Sequence, residues 1–233
     1  MGRDKLIVGI IPARGGSKSI PRKNIKLLAG KPLFFYTVDE ARKSRYIDRL
    51  IVSTDDDEIA EIARSYDVEV IMRPPEYATD TACTELALTH VVKTLKENEG
   101  YEVDVVVTLE PTSPLRTHQL IDKCIEELVN TEADAVISVT RTSSLVGNVQ
   151  DGKYEYLIKN QPRRRQDREP LYQESSAVYI TDAATLLKYK SVLGQNLHVV
   201  IAEEESIDIN TPLDFVIAEA VIKWKKEGEE IND

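Results

Sequence analysis

Six basic residues, Arg14, Lys18, Arg22, Lys23, Lys26 and Lys31, fall between positions 13 and 31 with no carboxylate among them, in a chain whose formal net charge is −10. They follow directly on the apolar run Leu6-Ile-Val-Gly-Ile-Ile11 and begin with Ala13-Arg-Gly-Gly-Ser-Lys18. A strand that ends in such a loop puts backbone N–H groups and point charges where a polyphosphate can lie. Gly15 and Gly16 carry no side chain to keep the phosphates away. The loop therefore reads as a cradle for a nucleoside triphosphate. It is not a Walker A loop, which needs glycine immediately before Lys18, where Ser17 stands. Nor is it G-x-G-x-x-G, so no dinucleotide fingerprint is present.

Apolar and amphipathic runs alternate along the chain and must position that loop. Strands are expected at 6–11, 50–53, 68–72, 103–109, 135–139, 177–180 and 198–201, several β-branched and continuous, as strands buried on both faces should be. Helical spacing links Ile59, Ile62, Ala63 and Tyr66, then Leu88, Val91, Val92 and Leu95, then Leu120, Cys124 and Leu128. A last helix is expected from Pro212 to about 225, with Thr211 as its N-cap. This βα alternation predicts an α/β fold with a mostly parallel sheet and helices on both faces. Ligands of such sheets sit at the carboxyl ends of the strands. Four segments then converge there, at 13–24, 73–84, 110–117 and 206–210. The rhythm breaks over 141–176, a polar stretch that reads as an inserted subdomain within a single domain of 233 residues.

Composition narrows the partners. A hydrophobic content of 42% supports a full core, and no apolar run is long enough to span a membrane. The Met1-Gly2 start lacks an apolar leader and a myristoylation pattern, so a cytoplasmic location is expected. An acidic body with a local cationic loop points to a small anionic ligand rather than nucleic acid. Cys83 and Cys124 have no metal spacing and read as small buried residues, and His90, His118 and His198 are dispersed. Asp55-Asp56-Asp57 reads as a helix cap rather than a metal site.

Seven motifs in order resemble one family. These are Ile11-Pro-Ala-Arg-Gly-Gly-Ser-Lys18, the segment 24–33, Ile51-Val-Ser-Thr-Asp55, Arg73-Pro74, Asp80-Thr-Ala82, Pro111-Thr-Ser-Pro-Leu-Arg-Thr117 and Ser206-Ile-Asp-Ile-Asn-Thr-Pro-Leu-Asp214. Together they resemble the acylneuraminate cytidylyltransferases, also called CMP-sialic acid synthetases. The resemblance implies a Rossmann-like nucleotidyltransferase fold with an inserted dimerisation segment and a homodimer. It implies transfer of CMP from CTP to the anomeric hydroxyl of a sialic-acid-like nonulosonic acid, with release of pyrophosphate and with Mg²⁺ as cofactor. Arg14, Lys23 and Asp208 become the expected catalytic residues. Ala13, Arg14, Gly15, Gly16, Ser17, Lys18, Lys23, Asn24, Arg73, Asp80, Thr81 and Thr84 become the nucleotide site. Glu110, Thr112, Ser113, Arg116, Arg165, Gln166 and Tyr179 are expected at the sugar, Arg165 pairing its carboxylate as a planar fork can or else lying in a solvated basic turn. Asp208 and Asn210 are the expected metal ligands.

Three departures from the family pattern stand out. Glu110 stands where glutamine is usual, Asn210 replaces the second aspartate of an Asp-Ile-Asp metal pair, and Ser175-Ser176 replaces Asn-Gly. Each bears on the sugar pocket or the metal. An eight-carbon keto sugar acid is the alternative substrate, and a non-catalytic nucleotide-binding regulator is the alternative of another class.

Overall fold

Val8, Ile10 and Ile11 are fully excluded from solvent, and their strand is buried along its whole length. That burial on both faces is why it reads as an unbroken apolar run and why it lies at the centre of the sheet. A computed structural model of the chain describes residues 5–203 and 206–230, so the Met1-Gly2 start lies outside the described residues. In order the elements are β1 (Ile7–Pro12), the short hairpin β2 (Leu27–Leu28) and β3 (Lys31–Pro32), α1 (Leu33–Lys43), β4 (Arg49–Thr54), α2 (Asp57–Ser65), β5 (Glu69–Met72), α3 (Thr84–Glu99) and β6 (Val105–Thr108). They continue with α4 (His118–Asn130), β7 (Ala135–Thr142), β8 (Gly147–Gln150), β9 (Lys153–Tyr156), β10 (Leu171–Asp182), α5 (Ala183–Tyr189), β11 (Leu197–Ile201) and α6 (Pro212–Glu230).

The seven main strands order as β5-β4-β1-β6-β10-β7-β11. Only β10 is antiparallel to its neighbours, pairing β6 on one side and β7 on the other. The expected mostly parallel sheet is therefore found, with all seven expected strands in it. From β1 the chain winds outward both ways, to β4 and to β6. The order reverses there, which leaves a crevice beyond the carboxyl ends of β1 and β6.

Alternate side chains of β1 serve two core layers, as the period of two requires. Ile7 and Ile11 join Phe34 and Val38 of α1, Ile59 of α2 and Ile121 and Ile125 of α4. Val8 and Ile10 join Leu88, Val91 and Leu95 of α3 and Leu186 of α5 on the opposite face. Phe34 is fully buried, and its replacement by alanine costs about 3–5 kcal/mol. A third cluster seats Phe215, Ala218 and Ile222 of α6 against Leu28 and Leu33.

The 141–176 insertion takes a different form from a self-contained subdomain. Strands β7 and β10 run on into it, pairing Thr142 with Leu171 and Arg141 with Tyr172 before a register shift between Glu174 and Tyr179. Only the part between these strands leaves the sheet, as a β8–β9 hairpin turned by Asp151-Gly152 with φ of 50° and 74°. Two left-handed central residues make the tight turn that matches strand twist.

Candidate active site

The cationic loop begins as a continuation of β1, with Ala13 N–H donating to the Ser53 carbonyl at 2.9 Å. The neighbouring end of β4 then grips it. Asp55 Oδ1 accepts from Gly15 N–H at 3.1 Å, and a Cβ on Gly15 would come within 2.5 Å of Asp56 Oδ2. A short helical turn, Lys23–Ile25, folds Lys23 and Asn24 back toward the sheet. Asn24 Nδ2 donates to the Arg14 carbonyl at 2.9 Å, and Lys23 Nζ to the Ile209 carbonyl at 2.7 Å.

These groups face a cleft of about 290 Å³ at the carboxyl ends of β1 and β6. Arg14, Gly16, Ser17, Lys23 and Asn24 form one wall. Arg73, Asp80 and Thr84 form the second, and Glu110 and Thr112 the floor. Arg73 leaves β5 as its N–H donates to the Thr54 carbonyl at 2.8 Å. It is 6% exposed, and among the described residues its Nε finds no partner. Burial lowers the pKa of both Lys23 and Arg73 from their ordinary values, and nearby Asp208 and Glu110 only partly offset this for Lys23. Half-paid desolvation of this kind is relieved when an anion enters. The site is thus built for a polyanion.

Two features modulate that charge. Asp80 bridges Arg14 at 2.9 Å and Lys18 at 3.1 Å across the mouth. These are solvent-screened surface pairs that contribute little to stability, so a triphosphate can displace them. The Glu110 carboxylate lies on the floor, where it accepts from Thr84 Oγ1 at 3.3 Å. Burial pushes its pKa up to about 7 against the pull of Arg116 and Arg73.

Of the expected nucleotide residues, Arg14, Gly16, Ser17, Lys23, Asn24, Arg73, Asp80 and Thr84 line one cleft. Ala13 is buried beneath it, and Lys18 reaches it through Asp80. Thr81 is exposed and does not line the cleft, its hydroxyl lying 3.5 Å from that of the lining residue Thr79. The expected sugar residues divide. Glu110 and Thr112 are in the cleft. Ser113 and Arg116 lie behind its wall, Ser113 donating to the Ser176 carbonyl at 3.1 Å. Arg116 spends its guanidinium on the carbonyls of Ala177 and Glu110 at 2.5 and 2.6 Å and on Thr37 Oγ1 at 2.9 Å. It therefore braces the 110–117 loop and has little left for a ligand. Tyr179 donates to Glu174 at 3.2 Å, and burial pushes its pKa up to about 12. Arg165 and Gln166 line a separate cavity with Arg141 and Arg168.

Asp208 accepts from Asn210 Nδ2 at 2.7 Å, and Ile209 N–H donates to the Thr112 carbonyl at 2.9 Å, which ties this loop to the cleft floor. Among the described residues no group of three or more His, Cys, Asp or Glu is arranged to hold a metal. Sequence reasoning missed Tyr77, Thr79, Ala82 and Cys83 as lining residues. Cys83 was expected to be buried and is instead exposed at the start of α3, whereas Cys124 is buried as expected. Cys83 is the residue just before α3, and helical spacing does not separate such a cap position from one within the helix.

A doubly wound sheet with a polyanion cleft at its switch point, and without a Walker A loop, defines a nucleotide-using α/β protein rather than a P-loop NTPase. A family model described as cytidylyltransferase matches residues 8–226, and the chain belongs to that family. It is 34% identical over 215 residues to N-acylneuraminate cytidylyltransferase of Streptococcus agalactiae serotype V, covering 89% of this chain and 51% of that protein. The chain thus spans about half the length of that relative. It is 31% identical to CMP-N,N'-diacetyllegionaminic acid synthase of Legionella pneumophila over 240 residues, 95% of this chain and 98% of that one. A solved structure of CMP:2-keto-3-deoxy-manno-octonic acid synthetase complexed with CTP superposes with a TM-score of 0.74 at 16% identity, covering 95% of this chain and 100% of that one. That likeness bears on the fold. Among the described residues no helix is long and apolar enough to cross a membrane.

Proposed function

We propose that this chain transfers CMP from CTP to the anomeric hydroxyl of a sialic-acid-like nonulosonic acid and releases pyrophosphate. The observation that carries the reading is the set of cations facing one cleft, Arg14 with the desolvated Lys23 and Arg73, with Asn24 among them and Asp208 close by. The anomeric oxygen attacks the α-phosphorus and its hydroxyl proton passes to solvent, while the bond from that phosphorus to the bridging oxygen breaks and pyrophosphate leaves with the electron pair. Lys23 and Arg14 neutralise charge on the equatorial and leaving oxygens, where preorganised donors contribute most. The names of the streptococcal and Legionella relatives, an N-acylneuraminate cytidylyltransferase and a CMP-N,N'-diacetyllegionaminic acid synthase, support the sugar class.

Mg²⁺ fits the donor set, since it takes one or two carboxylates and shares substrate phosphates rather than needing a protein cage. Asp208 would hold it, with the Asn210 amide beside it. When bound, the ion supplies further charge neutralisation at the phosphates. A homodimer completes the reading. The β8–β9 hairpin and the residue after it expose Val149, Tyr154 and Leu157, an apolar surface suited to a second copy, and Arg165 lies in the helical turn between that hairpin and β10 rather than in the nucleotide cleft. A partner's arm would deliver such an arginine to the sugar carboxylate.

The test is pyrophosphate release from CTP and Mg²⁺ with a panel of nine-carbon and eight-carbon keto sugar acids. Release with a nine-carbon acid is expected. Turnover with the eight-carbon acid alone, or CTP binding without turnover, would replace this reading with one of its alternatives.

A further inference from the structure

Arg22 belongs by sequence to the phosphate cations, yet its guanidinium turns the other way. It forms a two-pronged pair with Asp56, NH1 to Oδ2 at 2.5 Å and NH2 to Oδ1 at 2.9 Å, and it also contacts Glu58. A planar fork on a carboxylate fixes direction as well as distance. Its backbone sits at φ 56°, in the left-handed region that non-glycine residues avoid. The Arg22 carbonyl there accepts from the N–H groups of Ile25 and Lys26 at 3.1 and 3.0 Å, which closes the turn carrying Lys23 and Asn24. The anchor is itself rigid. Asp56 caps α2 by accepting from Ile59 N–H at 2.9 Å, and its own N–H donates to Thr54 Oγ1 at 3.1 Å. Its neighbour Asp55 holds Gly15 at the other end of the loop. The aspartate pair read from sequence as a helix cap thus also grips the cationic loop at two points, residues 15 and 22.

We infer that Arg22 is a positioning residue that contacts no phosphate. Clipped to Asp56, it holds the left-handed turn that aims Lys23 and Asn24 into the cleft. The pairing agrees with the titration of both groups, Arg22 held above and Asp56 below its ordinary range, each chiefly by their mutual hydrogen bond. The inference rests on the proposed binding of CTP in this cleft.

The rival role is direct: Arg22 swings over to the triphosphate once CTP arrives. Substitutions at Asp56 separate the two. Asp56→Ser keeps a good N-cap for α2 but removes the fork. The experiment measures Mg²⁺–CTP binding by calorimetry for Arg22→Ala, Arg22→Lys, Asp56→Ser and the Arg22→Ala/Asp56→Ser double variant, with hydrogen exchange of the 14–26 amides and the KM for the sugar acid. Both single alanine and serine variants should bind CTP about tenfold more weakly, with faster exchange across the loop and an unchanged sugar KM. The double should be no weaker than either single, because both remove one clip. Arg22→Lys, which keeps the charge but loses the fork, should not restore affinity.

Three results would overturn the clip: wild-type affinity in Arg22→Ala, undiminished or tighter binding in Asp56→Ser, or losses that multiply in the double. If the unaltered chain binds no CTP, the functional proposal fails instead. Loop exchange then still decides the clip, which is sunk if Arg22→Ala leaves the 14–26 amides as protected as before.

Discussion

Lys23 shows how one residue trades stability for function. Its ammonium is desolvated and meets a backbone carbonyl rather than a carboxylate, so its pKa lies below the ordinary lysine value. Lys23→Met, of similar length and without charge, should raise the thermal midpoint while kcat/KM falls by on the order of a hundredfold. A destabilised variant with near-normal turnover would remove Lys23 from the triphosphate site. Glu110 makes the complementary case. Its folded pKa of about 7 exceeds the ordinary 4.5, so the native state keeps a proton that the unfolded chain gives up between those values. Stability is then lost as pH rises through that window, by on the order of a few kcal/mol at most. Glu110→Gln should flatten the dependence, raising the melting midpoint more at pH 8 than at pH 5, and should shift the preference among nonulosonic acids with little change in the KM for CTP. Superimposable melting profiles and an unchanged preference ratio would place Glu110 outside this role. At this scale Arg14, Lys23, Asn24 and Arg73 were legible because their motif fixes both charge and place. Arg22 turns to Asp56 and Arg116 to the Ala177 and Glu110 carbonyls, directions that sequence, which gives only the charge, does not supply.

Among the elements, the parallel strands were legible from their continuous β-branched runs, α2, α3 and α4 from helical spacing, and α6 from its Thr211-Pro212 start. Helix α1 was not anticipated: Leu33, Phe34, Thr37, Val38 and Ala41 face the core, but Phe35 and Tyr36 beside them blur the apolar stripe. Helix α5 has only seven residues, too few for a period to emerge. The Asp151-Gly152 turn carried a hairpin signal that the surrounding charge obscured. Thr211 does cap α6, and Asp214 completes a reciprocal box: its N–H donates to Thr211 Oγ1 at 3.3 Å while its carboxylate accepts from the Thr211 and Asn210 N–H groups at 2.7 and 3.0 Å. That box fixes the loop presenting Asp208. Asn210→Asp on this rigid loop should add a second carboxylate and lower the Mg²⁺ concentration for half activity, with Asp208→Asn far more damaging. Coincident metal titrations for the Asn210→Asp and unaltered forms would show that position 210 is no ligand.

Across the whole molecule, the sheet gathers four chain-distant loops at one edge, which is why the cleft was foreseeable from alternation alone. What alternation could not give is assembly, because apolar residues left exposed on a hairpin among the described residues carry no period that says what covers them. Replacing Val149 and Leu157, 71% and 60% exposed, by serine should shift the protein from dimer to monomer in sedimentation and lower activity, whereas a fully active monomer would remove the shared site. The central claim is attack by the sugar's anomeric oxygen on the α-phosphorus of CTP. It is tested most directly by supplying a nonulosonic acid labelled with ¹⁸O at its anomeric hydroxyl and analysing the products by mass spectrometry. The account predicts a CMP-sugar that retains the label in the bridge, together with unlabelled pyrophosphate. Label appearing in the phosphate products, or no CMP-sugar from any nine-carbon acid, would contradict it.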